Sequence, residues 1–356
     1  MSSLLSEKFS RFPNIDDSDL ECHDTLDTST LDTEMQSCSW RSQDLDFISN
    51  VLINEIPANP YYLESRQPYL TNSMRSLLMD WLMEISSEFY LKRETCHKAM
   101  SYVDRYLSES QPVKKEHFQL LGLTACFIAA KCEEISYPKM TDFIKAAGGI
   151  YTCHDVRLME RMILKALKWK ITQPTSITIC DWLMTQWDSY AQNELGDKSH
   201  TITLKDSKGY KKFREIVQLI DASSLDIGYL KFRPRIIAAC ACYMILFKHI
   251  KEQKYAPILL YETYKQEFED DYVRNFMDLF LNFVSVALEI FVYDEMFSCG
   301  NFLNKFVDVK VCYEFPPVCK TGFRPENHYQ EFLSFQTHNP LCVQVVQMKI
   351  KGNFVS

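Results

Sequence analysis

The side chains best suited to nucleophilic, metal or phosphate chemistry are present in number but not in pattern. Thirteen cysteines run through the 356 residues, and those such as Cys126, Cys132, Cys153, Cys180, Cys240 and Cys242 stand scattered. There is no repeated Cys-x-x-Cys pair and no histidine spacing that would close a tetrahedral metal site. A Gly-rich phosphate loop, a His-Glu-x-x-His motif and a nucleophile elbow are all missing, so the sequence offers no catalytic set, no metal ligands and no cofactor cradle. The thiols read as reduced and partly buried, as in an intracellular protein. What the spacing does provide is a surface for recognition. Met74, Leu77, Leu78, Trp81, Leu82 and Ile85 recur at intervals of three and four, with the acid Glu84 among them. That arc is wider than a single core contact needs, although a plain core face has the same pattern.

The elements that would position these residues are helices. A polar, acidic stretch over residues 1–41, with DDSDLECHDTLDTSTLDTE at its heart, lacks the apolar side chains to repay ordering and is expected to be disordered. A leading helix is expected over 42–57, with Leu45, Ile48, Val51, Leu52 and Ile56 at helical intervals and Pro57 ending it. Thr71, Asn72 and Ser73 supply N-caps for the helix bearing Trp81. A second helix follows from Glu94 to Glu109 and a third from Lys115 to Ile135, apolar nearly all round at LLGLTACFIAA, as for a helix surrounded by others. KMTDFIKAAGG, ended by paired glycines, and TCHDVRLMERMILKALKW complete a set over 71–172. After Pro174 a comparable series occupies 174–297: TSITICDWLMTQWDSYAQ, KKFREIVQLIDASSLD, FRPRIIAACACYMILFKHI, an aromatic piece at Leu259–Tyr264, and VRNFMDLFLNFVSVALEIF. Both third members are Ala-rich and suited to close packing at a bundle centre, which points to two similar helical domains in tandem. With only nine glycines and little alternating Val, Ile or Thr, there is scant material for a sheet. NELGDKSHTITLKDSKG reads as a surface loop, and 298–356 carries no clear periodicity.

Composition narrows the partners. The chain is 46% hydrophobic and 13% aromatic with a net charge of −8, enough to bury a substantial core and the wrong sign for nucleic acid as the main ligand. No apolar run approaches the roughly 18 residues of a membrane span, and the opening MSSLLSEKFSRF turns polar too soon for a signal peptide. Partners are therefore expected to be proteins.

Three strings make the reading specific. MRSLLMDWLMEI resembles the opening helix of the cyclin box, LLGLTACFIAAKCEEISYP resembles its central helix and following turn, and KALKWKI lies in register further on. The resemblance spans residues 42–292, and HKAMSYVDRYL, LMERMILKALKWKIT and LIDASSLDIGYLKFRPRIIAACACYMI bring it nearest to the cyclin E type. It implies an all-α fold of two tandem five-helix cyclin-box domains behind a leading helix. It also implies a non-catalytic regulatory subunit that binds and activates a cyclin-dependent kinase around the transition into DNA replication, in the nucleus and also the cytoplasm. Lys131 and Glu160 are implied to grip the kinase, with Ile135, Leu164, Trp169 and Ile171 as apolar contacts; Cys132 stands where relatives commonly carry an aromatic. Met74, Leu77 and Trp81, with Leu78 beside them and Glu84 and Gln119 at the rim, are implied to dock Arg-x-Leu substrates and inhibitors. Arg75 and Asp104 are implied to form an internal ion pair.

Smaller signals remain. Leu20-Glu21-Cys22-His23-Asp24 resembles a Leu-x-Cys-x-Glu ligand of a retinoblastoma-type pocket protein, with Asp in the last place. No Ser or Thr precedes a proline, which departs from the proline-directed degron associated with cyclin E. Arg75-Ser76-Leu77-Leu78 fits the letters of a destruction box but falls inside an expected helix, and SKGYKK is a lone basic cluster. A mitotic A/B-like cyclin, a D-like or transcriptional cyclin, and a cyclin-fold transcription factor remain as alternatives.

Overall fold

A computed structural model of the chain describes residues 51, 55–195, 204, 211–255, 266–290 and 292–307. The expected acidic tail, most of the leading helix, the Leu259–Tyr264 piece and the chain beyond 307 lie outside these. The described residues contain helices and no strand. After a single helical turn at Tyr62–Ser65, the first set comprises α1 (Asn72–Glu88), α2 (Arg93–Glu109), α3 (Lys115–Glu133), α4 (Met140–Ala146) and α5 (Cys153–Ala166).

The local chemistry explains the boundaries. Thr71 caps α1, its Oγ1 accepting from the Met74 N–H at 3.3 Å. α5 starts with a reciprocal box: Thr152 Oγ1 accepts from the Asp155 N–H at 3.2 Å and the Asp155 carboxylate accepts from the Thr152 N–H at 2.8 Å. This satisfies two of the helix's orphan donors. After α4, Gly148 and Gly149 adopt φ of 78° and 71°, a left-handed turn that glycine makes without steric penalty. α3 stops at Glu133, two residues before the expected Ile135. The Glu134 backbone turns extended, and its carboxylate accepts from the Lys92 N–H at 2.7 Å and from the Thr95 hydroxyl.

α3 is the centre of this set, touching α1, α2, α4 and α5, and every residue from Leu120 to Ala130 is buried. Gly122 allows the closest approach: a Cβ there would stand 2.7 Å from Leu78 Cδ1.

The second set comprises α6 (Ser176–Leu195), α7 (Lys211–Ser224), a 3-10 turn (Ile227–Lys231), α8 (Pro234–Tyr255), α9 (Gln266–Leu288) and α10 (Val292–Leu303). α8 has the place that α3 has in the first, touching α6, α7, α9 and α10, with Arg235–Cys242 all buried. Its first residue is Pro234, where a missing N–H is harmless. α6 takes in the first residues of the expected surface loop, and Leu204 within that loop is buried, its N–H donating to Asp188 Oδ1 at 2.6 Å.

α10 runs across position 297, where the sequence reading ended the second domain. Met296, Cys299, Phe302, Leu303 and Phe306 are buried at helical spacing, and the Phe302 ring lies 5.4 Å from that of Phe232. The stripe is short and begins where polar residues dilute it, so periodicity over a long window misses it.

Candidate functional site

α1 has two working faces. Outward lie Met74, Leu77, Trp81, Glu84 and Glu88, at intervals that keep them in one line along the helix. Leu77 is 41% exposed, Met74, Glu84 and Glu88 are half-buried, and Trp81 is almost wholly buried. Leu78 is buried against Gly122, so it supports the helix from beneath and does not open to a surface slot. Gln119, on α3, is half-buried, and its Oε1 accepts from the Tyr151 hydroxyl at 3.3 Å. Partial burial, with the Glu84 charge one turn away, pushes the Glu88 carboxyl up to about 6.

Inward, Arg75 is buried and forms a bidentate pair with Asp104 of α2: Nε to Oδ1 and Nη2 to Oδ2, both at 2.8 Å. Tyr62 donates its hydroxyl to the same carboxylate at 2.8 Å. Burial alone would depress the guanidinium, but the adjoining Asp104 holds it above its usual range. Arg75 also donates through Nη1 to the Ser224 and Leu225 carbonyls at 3.1 and 3.3 Å, and the Ser76 hydroxyl donates to Leu225 at 2.8 Å. The ion pair therefore reaches the end of α7 as well as joining α1 to α2. It also encloses the Arg75-Ser76-Leu77-Leu78 string: that arginine is inside the protein.

A second region forms where α3 packs on α5. Lys131, in the last turn of α3, is paired with Glu160 in the middle of α5, and its ammonium lies 4.5 Å from the centre of the Phe127 ring. A cation there is favoured by the helix C-terminus and the aromatic face. The apolar residues differ sharply in access. Ile135 is 81% exposed and Trp169 71% exposed, whereas Leu164 is buried and Ile171 half-buried. Cys132 is exposed, but partial shielding of its thiol from water and the nearby Glu133 push its pKa up.

Trp169 is held out by its backbone. Lys168 and Trp169 have φ of 51° and 60°, a left-handed conformation that costs non-glycine residues about 1 kcal/mol or more each. The Trp169 N–H donates back to the Leu164 carbonyl at 3.0 Å. Two residues of α2 fasten the segment from the other side: the Tyr102 hydroxyl donates to the Ile171 carbonyl at 2.6 Å, and Arg105 Nη1 donates to the Lys170 carbonyl at 2.8 Å. Neither is among the site residues that the sequence points to, although both sit in the HKAMSYVDRYL string. Their spacing of three, with donors long enough to leave the helix, is the available signal.

Residues 45–172 match the family profile of the cyclin N-terminal domain. That stretch of the chain is a cyclin N-terminal domain. It is 36% identical over 178 residues to the G1/S-specific cyclin-E1 of Rattus norvegicus, covering 50% of this chain and 41% of that protein. It is 36% identical over 184 residues to the G2/mitotic-specific cyclin-A of Patella vulgata, covering 52% of this chain and 38% of that one. The matched stretch thus spans less than half the length of these relatives. The solved structure of a viral cyclin from herpesvirus saimiri is similar at a TM-score of 0.44 and 16% identity, over 68% of this chain and 95% of that one. The Arg75–Asp104 pair, the outer line of α1 and the Lys131–Glu160 region fall within the matched domain, whereas Ser224 and Leu225 lie beyond it.

Proposed function

We propose that this chain is a cyclin, the non-catalytic regulatory subunit of a cyclin-dependent protein kinase, acting in the nucleus around entry into DNA replication. The observation that carries the reading is the exposure of Ile135 and Trp169 beside the Lys131–Glu160 pair. Large apolar side chains held out to solvent, Trp169 on a left-handed backbone, suit a partner that covers them. A kinase requires its strand lysine and helix glutamate to meet before the phosphates are held productively. A partner that binds the inward position of that helix more tightly shifts the population toward it; a change from 1:99 to 99:1 takes about 5.5 kcal/mol of differential binding. Burying the two side chains and their surroundings is of that order. Lys131 and Glu160 are then rearranged or shared with the partner's backbone, and Leu164 and Ile171 support the contact from below.

The outer line of α1 is the proposed docking surface for substrates and inhibitors carrying Arg-x-Leu. Leu77 and Met74, with the rim of Trp81, would receive the leucine, and Glu84 the arginine. A retinoblastoma-type pocket protein, through Leu20–Asp24, is a further proposed partner. Identity to a mitotic cyclin-A is as high as to a cyclin-E1, so a mitotic role is the second reading, and protein abundance through a synchronised cycle decides between them.

The test is co-purification with a panel of cyclin-dependent kinases, followed by histone phosphorylation. Lys131→Ala with Glu160→Ala should abolish kinase binding, while Met74→Ala with Trp81→Ala should keep it and lose only Arg-x-Leu substrates. Failure of the wild type to bind or activate any kinase refutes the reading.

A further inference from the structure

α5 carries a second apolar stripe that the proposed kinase contact leaves free. Leu158 is 41% exposed and Met162 52% exposed. At about 100° per residue both lie about 160° around the helix from Glu160, while Met162 lies about 160° and Leu158 about 120° from Leu164. Arg161 and Lys165 fill the remaining positions, so that 158, 161, 162 and 165 make a continuous face of the i, i+3, i+4, i+7 kind on a helix of 14 residues. All four are exposed, as is Arg157 beside them.

The face is cationic without internal neutralisation. Among the described residues Arg157, Arg161 and Lys165 form no ion pair. The two acids of α5 are committed elsewhere, Asp155 to the Thr152 cap and Glu160 to Lys131. In a chain whose net charge is −8, a bare basic face around two large apolar side chains is a local reversal of sign. Such a field attracts and orients an acidic partner. The apolar pair at its centre distinguishes it from a phosphate-binding strip, where Leu and Met would be left unpaired against a polar backbone.

We propose that the outer face of α5 is a docking surface for an acidic amphipathic helix of another protein, one presenting apolar residues three or four apart flanked by Asp or Glu. Leu158 and Met162 take the apolar residues, and Arg161 and Lys165, with Arg157 at the edge, pair with the carboxylates. The bound helix would sit on the cyclin simultaneously with a kinase held at Glu160 and Trp169.

Random peptides of about 16 residues, long enough for about four helical turns, are displayed on phage, selected on the full chain and counter-selected on Leu158→Ser with Met162→Ser. The expected yield is acidic sequences with apolar pairs three or four apart. A synthetic consensus peptide should bind wild type by fluorescence anisotropy and bind Arg161→Glu with Lys165→Glu about tenfold or more weakly. Its affinity should fall as salt rises from about 0.1 to about 1 M, because screening shortens the reach of charge. Both variants alter exposed side chains and should keep wild-type helicity by circular dichroism and wild-type kinase co-purification. The proposal is overturned if no enriched peptide depends on Leu158 and Met162, or if the enriched sequences are neutral or basic. It also fails if the consensus peptide competes with the kinase, if the stripe instead drives pairing of two copies of the chain, or if it binds a single-stranded oligonucleotide in place of peptide.

Discussion

Replacing Arg75 with alanine removes both guanidinium bonds to Asp104 and leaves that buried carboxylate with the Tyr62 hydroxyl alone. Breaking one side of a buried pair costs about 3–5 kcal/mol, chiefly the penalty of the charge left behind. The Ser224 carbonyl also loses its donor from Arg75, which adds about 1 kcal/mol. The sum, about 4–6 kcal/mol, is a large share of the 5–15 kcal/mol (roughly) that stabilises an ordinary fold. Urea denaturation followed by circular dichroism should show the midpoint fall by about 1–2 M if the slope is about 3 kcal/mol/M. Arg75→Met with Asp104→Leu should recover much of the loss, since removing both charges leaves neither stranded. A loss under about 1 kcal/mol at pH 7, or additive single substitutions, would each refute the reasoning.

Ile135→Ala with Trp169→Ala should leave stability within about 0.5 kcal/mol of wild type, because both side chains are exposed, yet weaken kinase binding by about ten- to a hundredfold in a titration. Tyr102→Phe and Arg105→Ala should weaken the same binding while Trp169 itself is intact, read as faster hydrogen exchange at residues 168–171 together with a lower kinase affinity. Glu88 holds its proton more strongly in the fold than in the unfolded chain, so stability should fall as pH rises from about 4.5 to about 6; Glu88→Gln should flatten that slope, checked by thermal melts across the interval. Gly122→Ala brings a methyl group against Leu78 and should destabilise the protein by about 1–3 kcal/mol, with weakened Arg-x-Leu peptide binding because Leu78 underlies the proposed docking line.

Apart from α10, the described helices of both sets were readable because their apolar residues recur at helical intervals and their ends carry local chemistry, as at Thr71, Thr152 and the Gly148–Gly149 pair. The centrality of α3 and α8 was likewise legible, since a helix apolar on all sides has to be surrounded. α10 was missed because Met296 to Phe306 is a short stripe following a strongly periodic helix. The site was less legible, and access was the reason: Leu77 and Leu78 are adjacent, equally apolar residues, yet one is exposed and the other buried against Gly122. Spacing alone assigns a residue to a face but does not state what covers that face.

Arg75 shows a further reason. Its partnership with Asp104 spans 29 residues within one helical set, but its other bonds run 149 and 150 residues away to Ser224 and Leu225. Those carbonyls belong to the end of α7, where the backbone has run out of its own donors and carries partial negative charge. A helix end buried between two sets needs a donor from outside, and a guanidinium with several N–H groups serves both the carboxylate and the carbonyls in one plane. Lysine, with one compact ammonium, would not reach both. The inner face of α1 is thus fixed by a charge network shared with the second set. That fixation is what allows the same helix to turn Leu77 and Glu84 outward without giving up the core contacts that keep it in place.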